Sequence, residues 1–433
     1  MRALALSAAV LQASTPLTAV AEPVVVFIKD ARIVTVSGPV IEKGSVVIAG
    51  GKIAAVGAGL GVPAGATVIE GTGKTVYPGL IDGLTTIGLV EIQSVPGSVD
   101  TTEVGDLNPQ AKAWVALNPH SEQLPVARAN GITAALVAPL GGLVSGQSAL
   151  IRLAGSTPDA LTMKTPVALH VVYPSGRPTA DPARAEEPEV KTFEEREKDK
   201  KRSQERALGR LRNLLEEAKA YGAALDAARE ARIDAPKPDL GLEALVPFAR
   251  GAAPVVVRAD GEEEIRGAVR FADERGLKLI VAGGLEAWRC TALLKEKGVA
   301  VLLKVDRLPD RESDPYDAAY ANPERLRAAG VRFAIVSDDA DTSRNLPYEA
   351  AMAHAYGLPA SEAVRAITLS PAEIFGVADS LGSIDPGKAA TLVVATGDVL
   401  DHRTEVTHVF IDGVAQPLET RHTRLFREFK DRP

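Results

Sequence analysis

The chain has 433 residues, 46% hydrophobic and 24% charged, with a formal net charge of −7. That composition excludes a disordered polypeptide and leaves enough apolar material for a large core. The negative balance, with no basic patch interleaved with aromatics, argues against a nucleic-acid partner.

In chain order, Met1-Arg2, an apolar stretch through Leu11 and the small-residue site Ala19-Val20-Ala21 fit a secretory signal peptide of residues 1–21. The expectation is an exported protein, periplasmic or extracellular. The alternative is an apolar N-terminal strand or helix of a cytosolic protein. No later run approaches the ~20 apolar residues of a membrane span, so no membrane association is expected after signal removal.

Residues 24–76 read as β-structure. Val24–Ile28, Ala31–Val36, Ser45–Ala49 and Lys52–Val56 are β-branched runs, and Gly50-Gly51 is a two-residue hairpin turn. Val76–Leu89 opens as an apolar run and ends in a polar turn, like the first strand of a buried parallel sheet, with its strand at Tyr77–Asp82. Six more buried strands follow: Gly131–Val137, Pro166–Val172, Pro254–Arg258, Lys278–Val281, Val299–Leu303 and Arg332–Val336. Thr391–Ala395 and Thr407–Ile411 return to the β pattern, with Asp412-Gly413 as a second hairpin signal. β segments at both ends predict one small sheet domain built from both termini.

Helices are predicted from their caps. Asp260 with Glu263 starts one helix stopped by Gly276, and Ser370-Pro371-Ala372-Glu373 starts another stopped by Gly376. Thr192 and Glu195 cap a long charged helix running to about Arg232. Its second half carries an apolar stripe at Leu208, Leu211, Leu215, Ala218 and Leu225. The solitary Cys290 excludes an intrachain disulfide and reads as a buried, inert thiol.

Pro78-Gly-Leu-Ile-Asp82 resembles the signature that opens the barrel of the amidohydrolase superfamily, especially its imidazolonepropionase-related branch. Gly387-Lys-Ala-Ala-Thr-Leu392 resembles a second family pattern, with Thr391 in place of its usual Asp. The resemblance implies an α/β fold: a (β/α)₈ TIM-like barrel over residues 77–379 with a composite β-sandwich from residues 22–76 and 380–420. The charged helix, about 190–232, is an insertion in that scheme. Seven barrel strands are visible, and the eighth is expected between Tyr173 and Arg250.

The resemblance also implies one or two divalent ions such as zinc, held by His-x-His on strand one, a His on each of strands five and six, and an Asp on strand eight. Here the corresponding residues are Leu84, Thr86, Arg258 and Ala282, and only Asp338 matches. No metal ligand is assigned and no cofactor is expected from these residues. The guanidinium of Arg258 repels a cation and is suited either to an internal ion pair with Asp338 or to a ligand carboxylate.

The Gly-rich loop Pro139–Ser148 places Ser145 and Gln147 as candidate ligand-binding residues beside Arg258 and Asp339, with its backbone N–H groups open to an anion. Asp100, Glu103 and Asn108 sit in the loop after strand one; Arg344 and Glu349 follow strand eight. Of the six histidines, His170 reads as a core residue within a strand and His354 as a packing residue on a helix.

Two functions follow. One is family-level hydrolysis of non-peptide carbon–nitrogen bonds, with Asp338 as base. The other, favoured by the missing ligands, is a non-catalytic small-molecule-binding protein, or a pseudoenzyme subunit in a homo- or hetero-oligomer with a metal-competent homologue.

Overall fold

The computed structural model describes residues 25–175, 192–231, 234–309, 311 and 313–432. The expected signal segment, residues 1–21, lies outside them. The mixed α/β chain contains 18 strands among the described residues.

The N-terminal strands are β1 (Val26–Ile33), β2 (Ile41–Ala49), β3 (Lys52–Gly57), β4 (Thr67–Glu70) and β5 (Thr75–Pro78). The two predicted strands at 24–28 and 31–36 are one strand, β1, irregular near Asp30, whose φ is 54°. The central strands are β6 (Leu80–Thr85), β7 (Ile132–Val137), β8 (Val144–Gln147), β9 (Ala149–Arg152), β10 (Thr162–Lys164), β11 (Leu169–Val172), β12 (Pro254–Ala259), β13 (Lys278–Gly283), β14 (Ala300–Leu303) and β15 (Phe333–Ile335). Three more, β16 (Leu392–Ala395), β17 (Val406–Ile411) and β18 (Val414–Gln416), lie near the C-terminus.

Both ends of the chain enter one eight-stranded sheet, ordered β18-β17-β16-β5-β1-β2-β3, with β4 also paired to β1. Ile28, Ile33, Val46, Ile48, Ile53, Leu392, Val394 and Phe410 form its own buried cluster. Its two predicted hairpin tips both use left-handed backbone: φ is 58° and 78° at Gly50 and Gly51, and 50° and 79° at Asp412 and Gly413. The tips lie against each other. A Cβ on Gly413 would come 2.7 Å from the Cα of Gly51, so this crossing has room only for glycine.

The expected single strand Tyr77–Asp82 is two strands in two sheets. Pro78 has no N–H, and the next two amides bond in different directions: Gly79 N–H donates to Thr391 O (2.9 Å) and Leu80 N–H to Gly131 O (3.1 Å). Gly79 has no room for a side chain, since a Cβ there would fall 2.2 Å from Thr133 Oγ1.

The central strands form two sheets, β10-β9-β7-β6 and β15-β14-β13-β12-β11-β8. β6 and β7 are parallel, as are β11 to β15. The segment Val144–Arg152 joins the sheets: β8 runs antiparallel to β11 and β9 antiparallel to β7. At the opposite edges, Asp338 N–H donates to Leu84 O at 2.8 Å. Alternate residues of these strands, including Ile81, Leu84, Leu136, Leu150, Val256, Ile280, Leu302 and Ala334, share one buried interior cluster. Their neighbours Val255, Val257, Val281 and Val301 face outward into the layer of helices.

The described residues between Tyr173 and Arg250 hold no strand; they hold helices Phe193–Ala231 and Leu240–Ala249, and residues 176–191 and 232–233 of that interval lie outside the described residues. The position between β7 and β11 is taken by Val144–Arg152. Its first half belongs to the glycine-rich stretch read as a loop, and it runs opposite to its neighbours.

The long helix begins with the predicted reciprocal cap: Thr192 N–H donates to Glu195 Oε2 (2.9 Å) and Glu195 N–H to Thr192 Oγ1 (3.3 Å). Its charged first half is exposed. In its second half Leu211, Leu215 and Ala218 are buried, and Leu208, Leu211 and Leu215 face Leu169, Val171, Val255 and Val257. That half therefore covers the outer faces of β11 and β12, which a buried parallel sheet requires.

Two caps shift by a residue or two. Helix Glu262–Asp273 is capped at Gly261, with Glu264 rather than Glu263 accepting the Asp260 and Gly261 N–H groups. Helix Leu369–Ile374 starts after Thr368, which leaves Ser370 inside it.

Candidate functional site

The pleat of the parallel strands brings the site together. On β12 the interior side of Val256 continues to Arg258, and the paired residues Val172 on β11 and Ala282 on β13 flank it. Just past β15, Asp338 has a left-handed φ of 58° and is pinned by its N–H bond to Leu84 O. The two charges meet as a fork: Arg258 Nη1 donates to Asp338 Oδ2 and Nη2 to Oδ1, each at 2.6 Å. Their side chains are 29% and 18% exposed. Burial alone would lower the pKa of Arg258, but the hydrogen bonds and charge of Asp338, with Asp260 behind, raise it above the ordinary arginine value.

Above this pair lies a cavity of about 290 Å³, lined by Leu84, Ala138, Pro139, Leu140, Gly141, Ser145, His170, Val171, Val172, Val256, Arg258, Ala282 and Asp338. His170 is 7% exposed, and its Nε2 has no hydrogen-bond partner. Burial, and secondarily the charge of Arg258, lower its pKa to about 3, so the imidazole is neutral near pH 7. Beyond Arg258 opens a polar cleft of about 600 Å³ with Asp260, Glu286, Arg307, Arg311 and Lys200 on its walls. Arg307 pairs with Asp260 and Arg311 with Glu286, both at 2.7 Å.

Of the candidate ligand-binding residues, Arg258 and Ser145 line the cavity with Asp338. Gln147 does not: its Nε2 donates to Pro109 O at 2.9 Å, tying β8 to the preceding loop. Asp339 also turns away, accepting from Gln93 Nε2 and Asp341 N–H. Among the four positions where the resemblance implied metal ligands, Leu84, Arg258 and Ala282 line the cavity; Thr86 is buried outside the lining.

The Gly-rich loop does not offer its amides freely. Leu143 N–H donates to Asp106 Oδ1, Val144 N–H to Asp106 O, Gln147 N–H to Ala111 O and Ser148 N–H to Ala168 O. The loop's glycines serve close packing and left-handed turns. Asp100, Glu103, Asn108, Arg344 and Glu349 all lie outside the cavity lining. Asn108 is buried and bonds Gly105 O. His354 is exposed at a helix end, its Nδ1 2.8 Å from Leu358 O, and is no core packing residue. Cys290 is buried, and burial raises its pKa to about 11, consistent with an inert thiol.

Sequence reasoning missed two features. His170 was read as core, although strand alternation already set it on the interior side with Ala168, opposite Leu169 and Val171. The second feature is a buried acidic cluster beneath the site. Asp82 accepts from Ser337 N–H (3.0 Å), Ser337 Oγ (2.5 Å), Ser343 Oγ (2.8 Å) and, more weakly, Leu84 N–H (3.4 Å). Glu349 accepts from Val305 N–H at 3.1 Å.

Burial is the main force raising the Glu349 pKa to about 8; the charge of Asp82 adds to it, while Lys304 opposes. The folded protein thus keeps a proton there that the unfolded chain releases near pH 4.5. Stability from this group falls as pH rises from 4.5 to about 8 and is level above. Glu349→Gln is expected to remove a slope of up to ~1.4 kcal/mol per pH unit between pH 6 and 8. Urea unfolding at stepped pH checks this; an unchanged slope in the variant would contradict a protonated Glu349.

The sequence profile described as the amidohydrolase family matches residues 159–415. The chain belongs to the amidohydrolase family. The amidohydrolase-family chain also resembles a solved amidohydrolase from Thermotoga maritima, with 25% identity, a TM-score of 0.78, and coverage of 90% of this chain and 99% of that one. At the level of fold alone it resembles an adenosine deaminase from Xanthomonas campestris with bound zinc: 20% identity, TM-score 0.52, coverage 94% and 98%. Molinate hydrolase is similar in fold at 16% identity, TM-score 0.56, coverage 92% and 95%. No match was found among curated proteins.

The described residues at the cavity do not fit a divalent ion. Among the described residues of the lining, Asp338 is the one carboxylate and has both oxygens held by a cation, and His170 is the one imidazole. No group of three or more His, Cys, Asp or Glu among the described residues is placed to hold a metal.

Proposed function

We propose that this amidohydrolase-family protein is a metal-independent binder of a small molecule, with its ligand seated in the cavity over Arg258. The observation that carries the reading is the two-pronged Arg258–Asp338 pair. A guanidinium stays charged at any physiological pH and takes up the carboxylate lone pairs that a divalent ion would need. On this reading the chain is a pseudoenzyme of the imidazolonepropionase-related branch. Leu84, Thr86, Arg258 and Ala282 stand where His ligands have been lost, and Asp338 remains as the former base.

The reading extends to the architecture. The shared interior cluster and the Asp338–Leu84 hydrogen bond support treating the two central sheets as a (β/α)₈-type barrel over residues 77–379. The sheet shared by both ends supports a composite β-sandwich domain from 22–76 and 380–420. Export to the periplasm or cell exterior rests on the N-terminal signal pattern. Oligomerisation with itself or with a metal-competent homologue rests on the loss of ligands in an otherwise retained frame.

Metal content of the purified chain tests the central claim. After zinc-supplemented expression and dialysis against a weak chelator, well under ~0.1 ion per chain is expected; about one or two tightly held ions would restore the hydrolase reading, with Asp338 as base for carbon–nitrogen bond cleavage.

A further inference from the structure

The cavity's chemistry narrows the class of its ligand. This step rests on the ligand-binding reading above. We infer that the cavity takes a small uncharged molecule: an apolar body carrying one hydroxyl or carbonyl group, which the imidazole of His170 turns to meet.

Three observations carry it. First, the charges at the base already satisfy each other. Both oxygens of Asp338 accept from Arg258 at 2.6 Å, so the pair presents no net charge. An anionic ligand would have to pull Arg258 away and leave Asp338, only 18% exposed, facing it unpaired; a cationic ligand would strand Arg258 in the same way. Second, most of the remaining wall is apolar, including Leu84, Leu140, Val256 and Ala282. Third, His170 borders the cavity, and its Nε2 is the one buried side-chain polar atom of the lining without a partner among the described residues. That nitrogen is closed off even from the cavity, so the ring must turn to expose it; once turned, a ligand hydroxyl satisfies it whichever ring tautomer is present, because a hydroxyl both donates and accepts. Burial keeps that ring neutral at pH 7, so it adds no charge to the site. The volume of about 290 Å³ suits a compact ligand rather than an extended one.

The test uses the full chain with ¹⁵N-labelled histidine and three probes of one shape: isobutanol, isobutyrate and isobutylammonium. Long-range ¹H–¹⁵N spectra follow the His170 ring, assigned with His170→Gln. Isobutanol is expected to shift the ring saturably, with a dissociation constant in the range of about 1–50 mM for so small a molecule. The two ions are expected to leave it unmoved at matched concentration and ionic strength. His170→Leu, which keeps the wall apolar and removes the nitrogen, is expected to bind isobutanol about tenfold more weakly when affinity is read by calorimetry.

Binding of isobutyrate or isobutylammonium as tight as isobutanol overturns the inference, as does silence with all three probes. Either result leaves the metal-free reading intact. A zinc-dependent, chelator-reversed shift of the ring overturns both.

Discussion

Arg258→Ala is expected to destabilise the protein by about 3 kcal/mol, the lower end for breaking a buried ion pair by removing one partner. The loss comes from the partner left behind. Asp338 keeps its carboxylate in a poorly hydrated position with neither of its two 2.6 Å donors. The partial exposure of Arg258, 29%, keeps the figure from being larger, because water reaches part of the vacated space. Replacing both members, Arg258→Ala with Asp338→Asn, whose side chain tolerates the left-handed backbone at 338, is expected to cost less than Arg258→Ala alone, since no unpaired charge is left buried. Urea unfolding of wild type, both single variants and the double variant completes the cycle. A single-variant loss below ~0.5 kcal/mol would mean that the fork contributes no more than a surface contact.

The second large effect is expected at Asp82. Asp82→Ala removes one carboxylate and leaves Ser337 N–H and Ser343 Oγ without their acceptor in a fully buried site, along with the weaker Leu84 N–H, while Ser337 Oγ keeps only Asp339 O at 2.9 Å. With ~1–3 kcal/mol for each unsatisfied buried group and partial rescue by rotating hydroxyls, the net loss is expected near 4 kcal/mol. Asp82→Asn keeps one acceptor oxygen, and the serine hydroxyls can turn to accept from its amide, so it is expected to lose about half as much.

The two variants also share a pH signature. Burial raises the Asp82 pKa from 3.8 to about 6 against its four hydrogen bonds. The fold therefore holds this proton more tightly than the unfolded chain does, and the stability contributed falls as pH rises through that interval. Both variants abolish the fall. Thermal unfolding at pH 4, 5 and 6 distinguishes this from a purely steric loss, which would be parallel to wild type at every pH. Because Ser337 directly precedes Asp338, loosening Asp82 is also expected to loosen the Arg258 fork.

Much of this arrangement is legible in the sequence because it rests on local rules. β-branched runs and paired turn residues reveal the strands and hairpins of the terminal sheet, while the arginine where the resemblance implies an imidazole left two roles open, of which the pair with Asp338 is the one formed. What escaped was set by non-local contacts. The split at Pro78-Gly79 depends on Thr391 and Gly131 taking successive amides in two directions. β8 hides at the end of a glycine-rich stretch, and β9 is only four residues long; their neighbours, not their own propensity, hold them extended. Gln147 and Asp339 were drawn away by backbone and side-chain partners that spacing alone does not reveal. His170 was the exception, since strand alternation alone would have turned it inward.

The terminal sheet has a consequence for the order in which the molecule is made. β5 sits between β1 and β16, and the Tyr77 hydroxyl accepts from Val399 N–H across 322 positions of sequence. A ribosome delivers β1 to β5 first, and for most of translation β5 waits with one edge open. The central strands emerge during that interval and can form their own local contacts. The β5–β16 ladder, which ties residues 75–78 to residues 392–395, cannot form until most of the chain is available. Such distant pairing is slow, and an unpaired strand edge is where nascent chains stick to one another. Until β16 is available, that edge of β5 has no strand to pair with.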